Sequence, residues 1–486
     1  MTKRCAFLLV FALFTATSLA RADDLQDCKT LAPDTAISAC DRALKEDPKS
    51  AMAYFARGSA YAKKGDLDRG IADYNRGLAL DPSPAGAWSA RAFIYFQKRD
   101  LDRALADINK AMEIDPKLAY TYNTRGMVRH AKGDSDGAFA DFEKAIELNP
   151  KLSDAYNNRG LIFRARGADL RAQADYTKAI ELDPAMALAY SNRADSYYVK
   201  GDNDRALADY NKAIELEPRI VAAYLGRGDV YVEKRSFDRA IPDYTKAIEL
   251  APKFAPAYYN RAVAYRTMED FSRAVTDFNR AISLDAKYAD AYSGRGVAYL
   301  GDGNIKRAFA DFNKAIELEP KAARHYNERG KAYNITNDYT RAIADYNRAL
   351  EIDPKNAASY NLRANSLQRM GDFDLAIGDY NKALQLSPDY AGAYFNRGLA
   401  YRDKGAGSPT PAVPMSDMPK NDLLGTLSTK IDTRDLERAI RDFSKAIELN
   451  PNVPDFYEAR AGVKQSMGDI AGAKADKAKA DEIRTR

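Results

Sequence analysis

Three kinds of residue in this 486-residue chain could carry chemistry: two histidines, three cysteines, and an arginine–aspartate pair that recurs from end to end. His130 and His325 stand far apart, and neither has a second His or a Cys at ligand spacing. A metal site needs such a cluster, so none is expected. No phosphate loop and no nucleophile elbow is present. Asp and Glu are plentiful, but they fall at caps, on helix faces and in the recurring pair. No cofactor and no catalytic group follow from these residues, and the chain reads as a non-enzyme.

The arginine–aspartate pair is the most regular of these features. It runs Arg57/Asp73, Arg91/Asp107, Arg125/Asp141, Arg159/Asp175, Arg193/Asp209 and Arg227/Asp243. It continues as Arg261/Asp277, Arg295/Asp311, Arg329/Asp345, Arg363/Asp379, Arg397/Asp442 and Arg460/Asp476. A guanidinium offers a planar fork that a carboxylate can accept bidentately. Because Asp accompanies Arg without exception, the reading is a buried or half-buried ladder, within each unit or to the next. A row of ligand-binding arginines is the alternative.

The elements that must position these residues are set by a period of 34. Proline recurs at Pro48, Pro82, Pro116, Pro150, Pro184, Pro218 and Pro252, skips Ala286, and resumes at Pro320, Pro354 and Pro388. Such a beat marks an array of one repeated supersecondary unit. With Ala51 as place 1, place 4 is Tyr or Trp and place 8 is Gly or Ala. Place 11 is mostly Tyr. Alanine holds places 20 and 27, and place 24 is aromatic or Ile. Steps of 3, 4 and 7 draw one apolar stripe on each of two helices. Gly-Asp pairs such as Gly65-Asp66 and Gly133-Asp134 read as a helix C-cap followed by an N-cap. The arginines fall at place 7 and the aspartates at place 23, eight residues either side of that turn. An antiparallel hairpin would bring them to one height.

At these residues the chain resembles the tetratricopeptide-repeat family, over nearly all of residues 23–486. The resemblance implies an all-α fold: antiparallel helix pairs stacked as a right-handed α-α superhelix. It also implies that first helices line a concave face that binds peptides or partner helices. The family consensus has apolar residues at places 7 and 23, so the arginine–aspartate pair is a departure. The carboxylate clamp of some family members is not met in any three consecutive repeats.

Eleven full repeats are expected between Ala51 and the C-terminal region, beginning with an array over 51–405. A degenerate N-terminal unit at 23–50 holds Cys28 and Cys40, and a capping unit spans 454–486. A Pro/Gly/Ser-rich insertion at 406–434 interrupts the eleventh repeat, which resumes over 435–453. The insertion reads as a disordered loop or as a docking segment that orders on a partner. Pro242 falls inside a second helix, where it removes a hydrogen bond, so a change of curvature is expected near 221–252.

Lys3 and Arg4, the apolar run 6–17 and Ala20-Arg21-Ala22 read as a cleaved export signal at 1–22. The run is shorter than the roughly 20 residues that span a bilayer, and no later stretch is apolar enough to span. Removing Lys3, Arg4 and Arg21 from 74 basic residues leaves 71 against 69 acidic ones. That balance gives no broad basic face for nucleic acid. An exported, periplasmic or secreted protein would hold Cys28 and Cys40 as a disulfide, with two buried thiols as the alternative. A bridge over so short a loop contributes roughly 3 kcal/mol in the chain-entropy model.

The candidate peptide groove lies at places 2, 5, 6, 9 and 12 of the first helices. Toward the N-terminus it holds Met52, Phe55, Phe93, Phe96, Tyr120, Met127 and Leu161, suited to apolar side chains. Further on it holds Arg324, Asn327, Lys331, Asn334, Asn361, Asn365 and Gln368, suited to peptide backbone or an anion. Asn158, Asn192, Asn260 and Asn396 form an incomplete row like one that family members use on backbone. His130 is either a surface histidine or a groove residue. The expected function is therefore a scaffold that binds a protein or peptide on its concave face. The alternative is an assembly component of a cell-envelope complex that acts through its edges and the 406–434 loop.

Overall fold

A computed structural model describes residues 26–28, 32–406 and 433–485. The expected export signal and nearly all of the insertion lie outside the described residues. All regular structure among the described residues is helical, and consecutive helices pack in pairs. The chain divides into two compact units, Met1–Arg235 and Ser236–Arg486.

Each repeat is a first helix, such as Ala51–Lys63, and a second, such as Leu67–Leu80, joined by a three-residue turn. The turn forms because its residues satisfy both helix ends. Asp66 N–H donates back to Tyr61 O at 2.9 Å, as in a Schellman closure. The Asp66 carboxylate then caps the next helix by accepting from Arg69 N–H at 3.1 Å, as an N-cap residue does. Asp100, Asp134, Asp202, Asp270, Asn304 and Asp338 cap in the same way. The closure needs a left-handed residue, which Gly65, Gly133, Gly201 and Gly371 supply. Glycine is not obligatory there: Arg99, Arg235, Glu269 and Asn337 take the same conformation at φ between 56 and 63°. Packing of both flanking helices outweighs the roughly 1–2 kcal/mol that a Cβ costs in this region.

The core is built from the alanines and the place-24 rings. Ala104, Ala111, Ala138, Ala145, Ala172 and Ala179 are wholly buried, as are Tyr176, Phe278 and Phe312. Each such ring contributes roughly 1.5–3 kcal/mol by leaving water. Place 8 is small because the ring lies against it. A Cβ on Gly126 would stand 2.5 Å from Phe142, and one on Gly160 would stand 2.6 Å from Tyr176. Where place 8 is Ala and place 6 of the next repeat is Gly, the ring leans toward that next repeat instead. Tyr210 follows Ala194 and occupies the space over Gly226; Phe278 follows Ala262 and occupies that over Gly294.

At the N-terminal end of the first unit, Cys28 and Cys40 form a disulfide. Both are buried against Ala53 and Tyr54. In the second unit, the first helix of the interrupted repeat ends at Gly405, and its second runs Thr433–Leu449. The helix thus begins two residues before the expected start at Asp435. Asp435 is buried inside it and accepts from Arg438 at 2.8 Å.

The helix Phe237–Leu250 continues through Pro242, although Ser236 before it makes no side-chain cap. Other repeats hold Ala at this place, as in Ala208 and Ala344. Pro242→Ala is therefore expected to restore one backbone hydrogen bond and stabilise the second unit by about 1–3 kcal/mol. Urea unfolding followed by circular dichroism would show a raised midpoint. An unchanged midpoint would mean that the helix already compensates for the proline.

Candidate binding face of the first helices

The place-7 arginines hold the repeats together, which bears on which side chains remain for a ligand. In every described intra-repeat pair, Nε and Nη2 donate to the two oxygens of the place-23 aspartate at 2.6–2.9 Å. Arg125 thus grips Asp141 at 2.9 and 2.6 Å, and Arg159 grips Asp175 at 2.8 Å through both nitrogens. The same fork joins Arg193 to Asp209 and Arg397 to Asp442. The remaining nitrogen, Nη1, turns to the preceding repeat. It donates to Asn75 from Arg91, to Thr177 from Arg193, to Asn279 from Arg295 and to Asn347 from Arg363, at 2.6–3.1 Å. Arg227 donates to Asn211 at 2.7 Å within the first unit, and Asp243 is buried in the second.

The two partners of the ladder differ in depth, which the sequence reading did not separate. Asp141 is 2% exposed and Asp175 6% exposed, whereas Arg125 and Arg159 stay half-buried. Asp209 and Asp243 are buried as well. The physical reason is side-chain length. A short carboxylate on the second helix stays near its own backbone, and the longer arginine crosses to it and covers it. Asp141 is covered twice, since Arg129 Nη1 also donates to it at 2.9 Å. Asp141, Asp175, Asp209 and Asp243 are therefore enclosed structural groups rather than residues of an open site.

Above each guanidinium lies the place-4 ring, at 4.9 Å for Arg91 on Trp88 and 5.2 Å for Arg125 on Tyr122. That ring's polar end is also used. Trp88 Nε1 donates to Pro82 O at 2.8 Å and Tyr122 OH to Pro116 O at 3.0 Å. The hydrogen bond donated to aspartate is the main reason that Arg159, Arg261 and Arg329 sit above the ordinary arginine range.

The asparagine row is likewise engaged. Asn158 Nδ2 donates to Asn123 Oδ1 at 3.0 Å, Asn192 to Asn157 at 2.9 Å, and Asn396 to Asn361 at 3.1 Å. The expected row on peptide backbone is a set of bonds between successive first helices. Asn260 is half-buried on the same face.

The polar stretch of the second unit is also largely self-satisfied. Arg324 donates to Asp290 at 2.6 Å and to Glu319. Lys331 bonds Glu328 at 2.8 Å, and Asn327 exchanges bonds with Ser359. Asn334 donates to Tyr346, Asn365 accepts from Tyr380 at 2.6 Å, and Gln368 donates to Asp403. His325 lies in this stretch at 0% exposure. Its Nε2 is 3.4 Å from Glu319, while Nδ1 has no partner.

The N-terminal part of the first unit differs. Met52 is 49% exposed, and Phe55 stacks on Tyr74 at 5.8 Å. Phe93 contacts Phe96 and Tyr120, each at 6.3 Å. Crevices open between these first helices. One of about 350 Å³ is lined by Phe96, Arg99, Met127, His130, Phe142, Asn158 and Leu161. Another of about 220 Å³ lies between Tyr74, Phe93, Ile94 and Tyr120. A third of about 240 Å³ lies between Pro33, Met52, Phe55 and the disulfide's Cys28. His130 thus lines a crevice.

Beyond Leu161 the face changes to a polar step that the sequence reading missed. Arg164 Nη1 donates to Asp195 at 2.6 Å, and Tyr210 OH donates to the other oxygen at 2.7 Å. Burial, with the Asp195 charge, pushes the Tyr210 hydroxyl well above the ordinary tyrosine range. The signal was present in Gly226, whose missing side chain admits the Tyr210 ring.

A stack of 34-residue helix hairpins with this core defines a repeat scaffold. Family models described as tetratricopeptide repeat match residues 33–85, 56–119, 92–157, 153–186, 191–255, 255–288, 289–321 and 427–453. One described as TPR repeat matches 330–371 and 369–405. Together they span most of the chain, which belongs to the tetratricopeptide-repeat family. The comparison with curated proteins gives no match. Among solved structures, the chain is similar to Cut9 with Hcn1, an APC/C hetero-tetramer, at 17% identity and TM-score 0.47, covering 92% of this chain and 95% of that one. It is similar to yeast Tom70 at 18% identity and TM-score 0.46, over 89% and 96%. A tetratricopeptide repeat protein from Parabacteroides merdae is 24% identical, with TM-score 0.43, over 52% and 99%. Likeness at these scores says nothing about partners.

Two outcomes follow from this geometry. Asp277→Ala leaves Arg261 half-buried and unpaired, and is expected to cost about 3–5 kcal/mol, whereas an apolar pair in place of both residues recovers most of that loss. Urea denaturation of single and double variants measures it; additive losses would refute the coupling. Burial, reinforced by Arg324, holds His325 below its ordinary value of 6.5 against the opposing pull of Asp290 and Glu319. The unfolded chain therefore binds more protons as pH falls through about 6.5, and stability declines on acidification. His325→Ala should flatten the dependence of Tm on pH between about 7 and 5; an unaltered slope would assign it elsewhere.

Proposed function

We propose that this chain is an exported, non-enzymatic scaffold that binds a protein or peptide on the first-helix face between Met52 and Leu161. The observation that carries the reading is a contrast in side-chain use. Along the ladder, the asparagine row and the Arg324–Gln368 stretch, polar groups are engaged by one another. From Met52 to Leu161 the face presents open crevices lined by large apolar groups. Apolar surface of this kind marks an interaction site when it is contiguous. A groove of aromatic and Met side chains suits the apolar face of a peptide or helix.

Export is supported by the positive start and apolar run at 1–17. The Cys28–Cys40 disulfide supports it too, since disulfides persist in oxidising compartments. No helix among the described residues is long and apolar enough to cross a membrane.

Photo-crosslinking tests the face directly. A benzophenone side chain at Phe93 should capture a discrete envelope protein, and the same group at exposed Leu170 on a second helix should not. Phe55→Ala with Phe96→Ala should abolish the Phe93 adduct without altering the circular-dichroism spectrum. Capture from Leu170 alone would place the partner on the opposite face.

A further inference from the structure

We infer that the occupant of this face is an extended segment in polyproline-II conformation, with bulky apolar side chains at multiples of three residues and acidic residues between them. This rests on the reading of the face given above and specifies its ligand.

The three crevices are equivalent positions in the 34-residue frame. The Cys28–Phe55 crevice lies between the N-terminal unit and the first repeat. The Tyr74–Phe93 crevice lies one repeat further on. The Phe142–Leu161 crevice lies two repeats beyond that. Phe93 and Tyr120 line the second crevice and Phe96 lines the third, and the Phe93 ring stands 6.3 Å from each of the other two. Side chains anchored in all three crevices are therefore separated by one repeat and then by two.

Neighbouring packed helices stand about 8–10 Å apart, which sets the step. A polyproline-II chain has three residues per turn and rises about 3.1 Å per residue, so every third side chain returns to one face after about 9.3 Å. A β-strand returns to one face every second residue, about 6.6–6.8 Å, and misses the step. An α-helix meets it after seven residues, about 10.5 Å, but also presents side chains at three and four residues, against the ridges between crevices. The register that fits is i, i+3 and i+9.

Charge supplies the second requirement. No Asp or Glu lines any of the three crevices. Lys63 borders the first and second, and Arg99 and His130 border the third. Neighbouring cations are paired, as Lys98 is with Asp68 and Lys132 with Asp102 at 2.8 Å. Lys63 and Arg99 are exposed and form no ion pair among the described residues. Acidic side chains between the anchors would complete them and would speed encounter at low salt.

Fluorescence anisotropy with labelled synthetic peptides and the full chain tests this. The probe carries leucine at its first, fourth and tenth positions, with proline and glutamate between. It should bind at least about tenfold more tightly than a version with leucines at the first, third and ninth positions, and than one with lysine for glutamate. Lys63→Glu with Arg99→Glu should reverse the preference between the glutamate and lysine peptides, a result that loss of folding cannot produce. Equal binding of all registers, or tighter binding by an alanine-based helical peptide with leucines seven apart, overturns the inference. If Phe93 crosslinks a protein but no register is preferred, the ligand class fails and the binding face stands. If neither occurs, both fail.

Discussion

The arginine at place 7 is the constraint on which the repeats depend. Its three guanidinium nitrogens are divided between two jobs. Nε and Nη2 fasten the two helices of one hairpin through aspartate, and Nη1 fastens that hairpin to the one before it. The place-4 ring covers the guanidinium and reaches the proline carbonyl that ends the preceding helix. One side chain thereby joins the inside of a repeat to its neighbour and to the connecting turn. A lysine could not substitute, because its point charge has no planar fork. The apolar residues that the family consensus places here would pack but would impose no direction.

This junction also explains how polar and apolar work are divided. Repeat arrays gain stability from each unit and from each interface between units. Here the interfaces combine the arginine junction, buried alanines and the place-24 rings. The rings choose between two positions. Glycine at place 8 admits the ring within its own repeat, while alanine at place 8 with glycine at place 6 of the next repeat admits it there. Gly226 is one such exchange, and it brings Tyr210 to Asp195 and Arg164. The first-helix face is thus not uniform. It is apolar and open near the disulfide-bonded end, polar around Asp195, and internally hydrogen-bonded along the second unit.

Much of this was legible because a 34-residue period exposes each place a dozen times over. Helix limits, the turn, the buried alanines and the pairing of Arg with Asp follow from which residue types recur. The depth of each partner does not: Asp141 and Asp175 are enclosed only because a longer arginine crosses over them. The role of the asparagines was not legible either. Asn158 and Asn192 look the same whether they await a backbone or bond Asn123 and Asn157, since their state depends on which side chain stands across the interface. Left-handed Arg99, Arg235, Glu269 and Asn337 were similarly hidden, because local propensity favours glycine and only the packing of two helices decides otherwise.

The sequence by itself determined the repeat, its two helices, the small and large places of the core, and the presence of a partner carboxylate for each arginine. Those depend on periodicity and residue chemistry, which are local. Only the tertiary structure decided where Nη1 goes, which polar groups are already engaged, and where the first-helix face stays open. Those depend on distances between residues a repeat or more apart, and a linear pattern records the residues but not the gap between them.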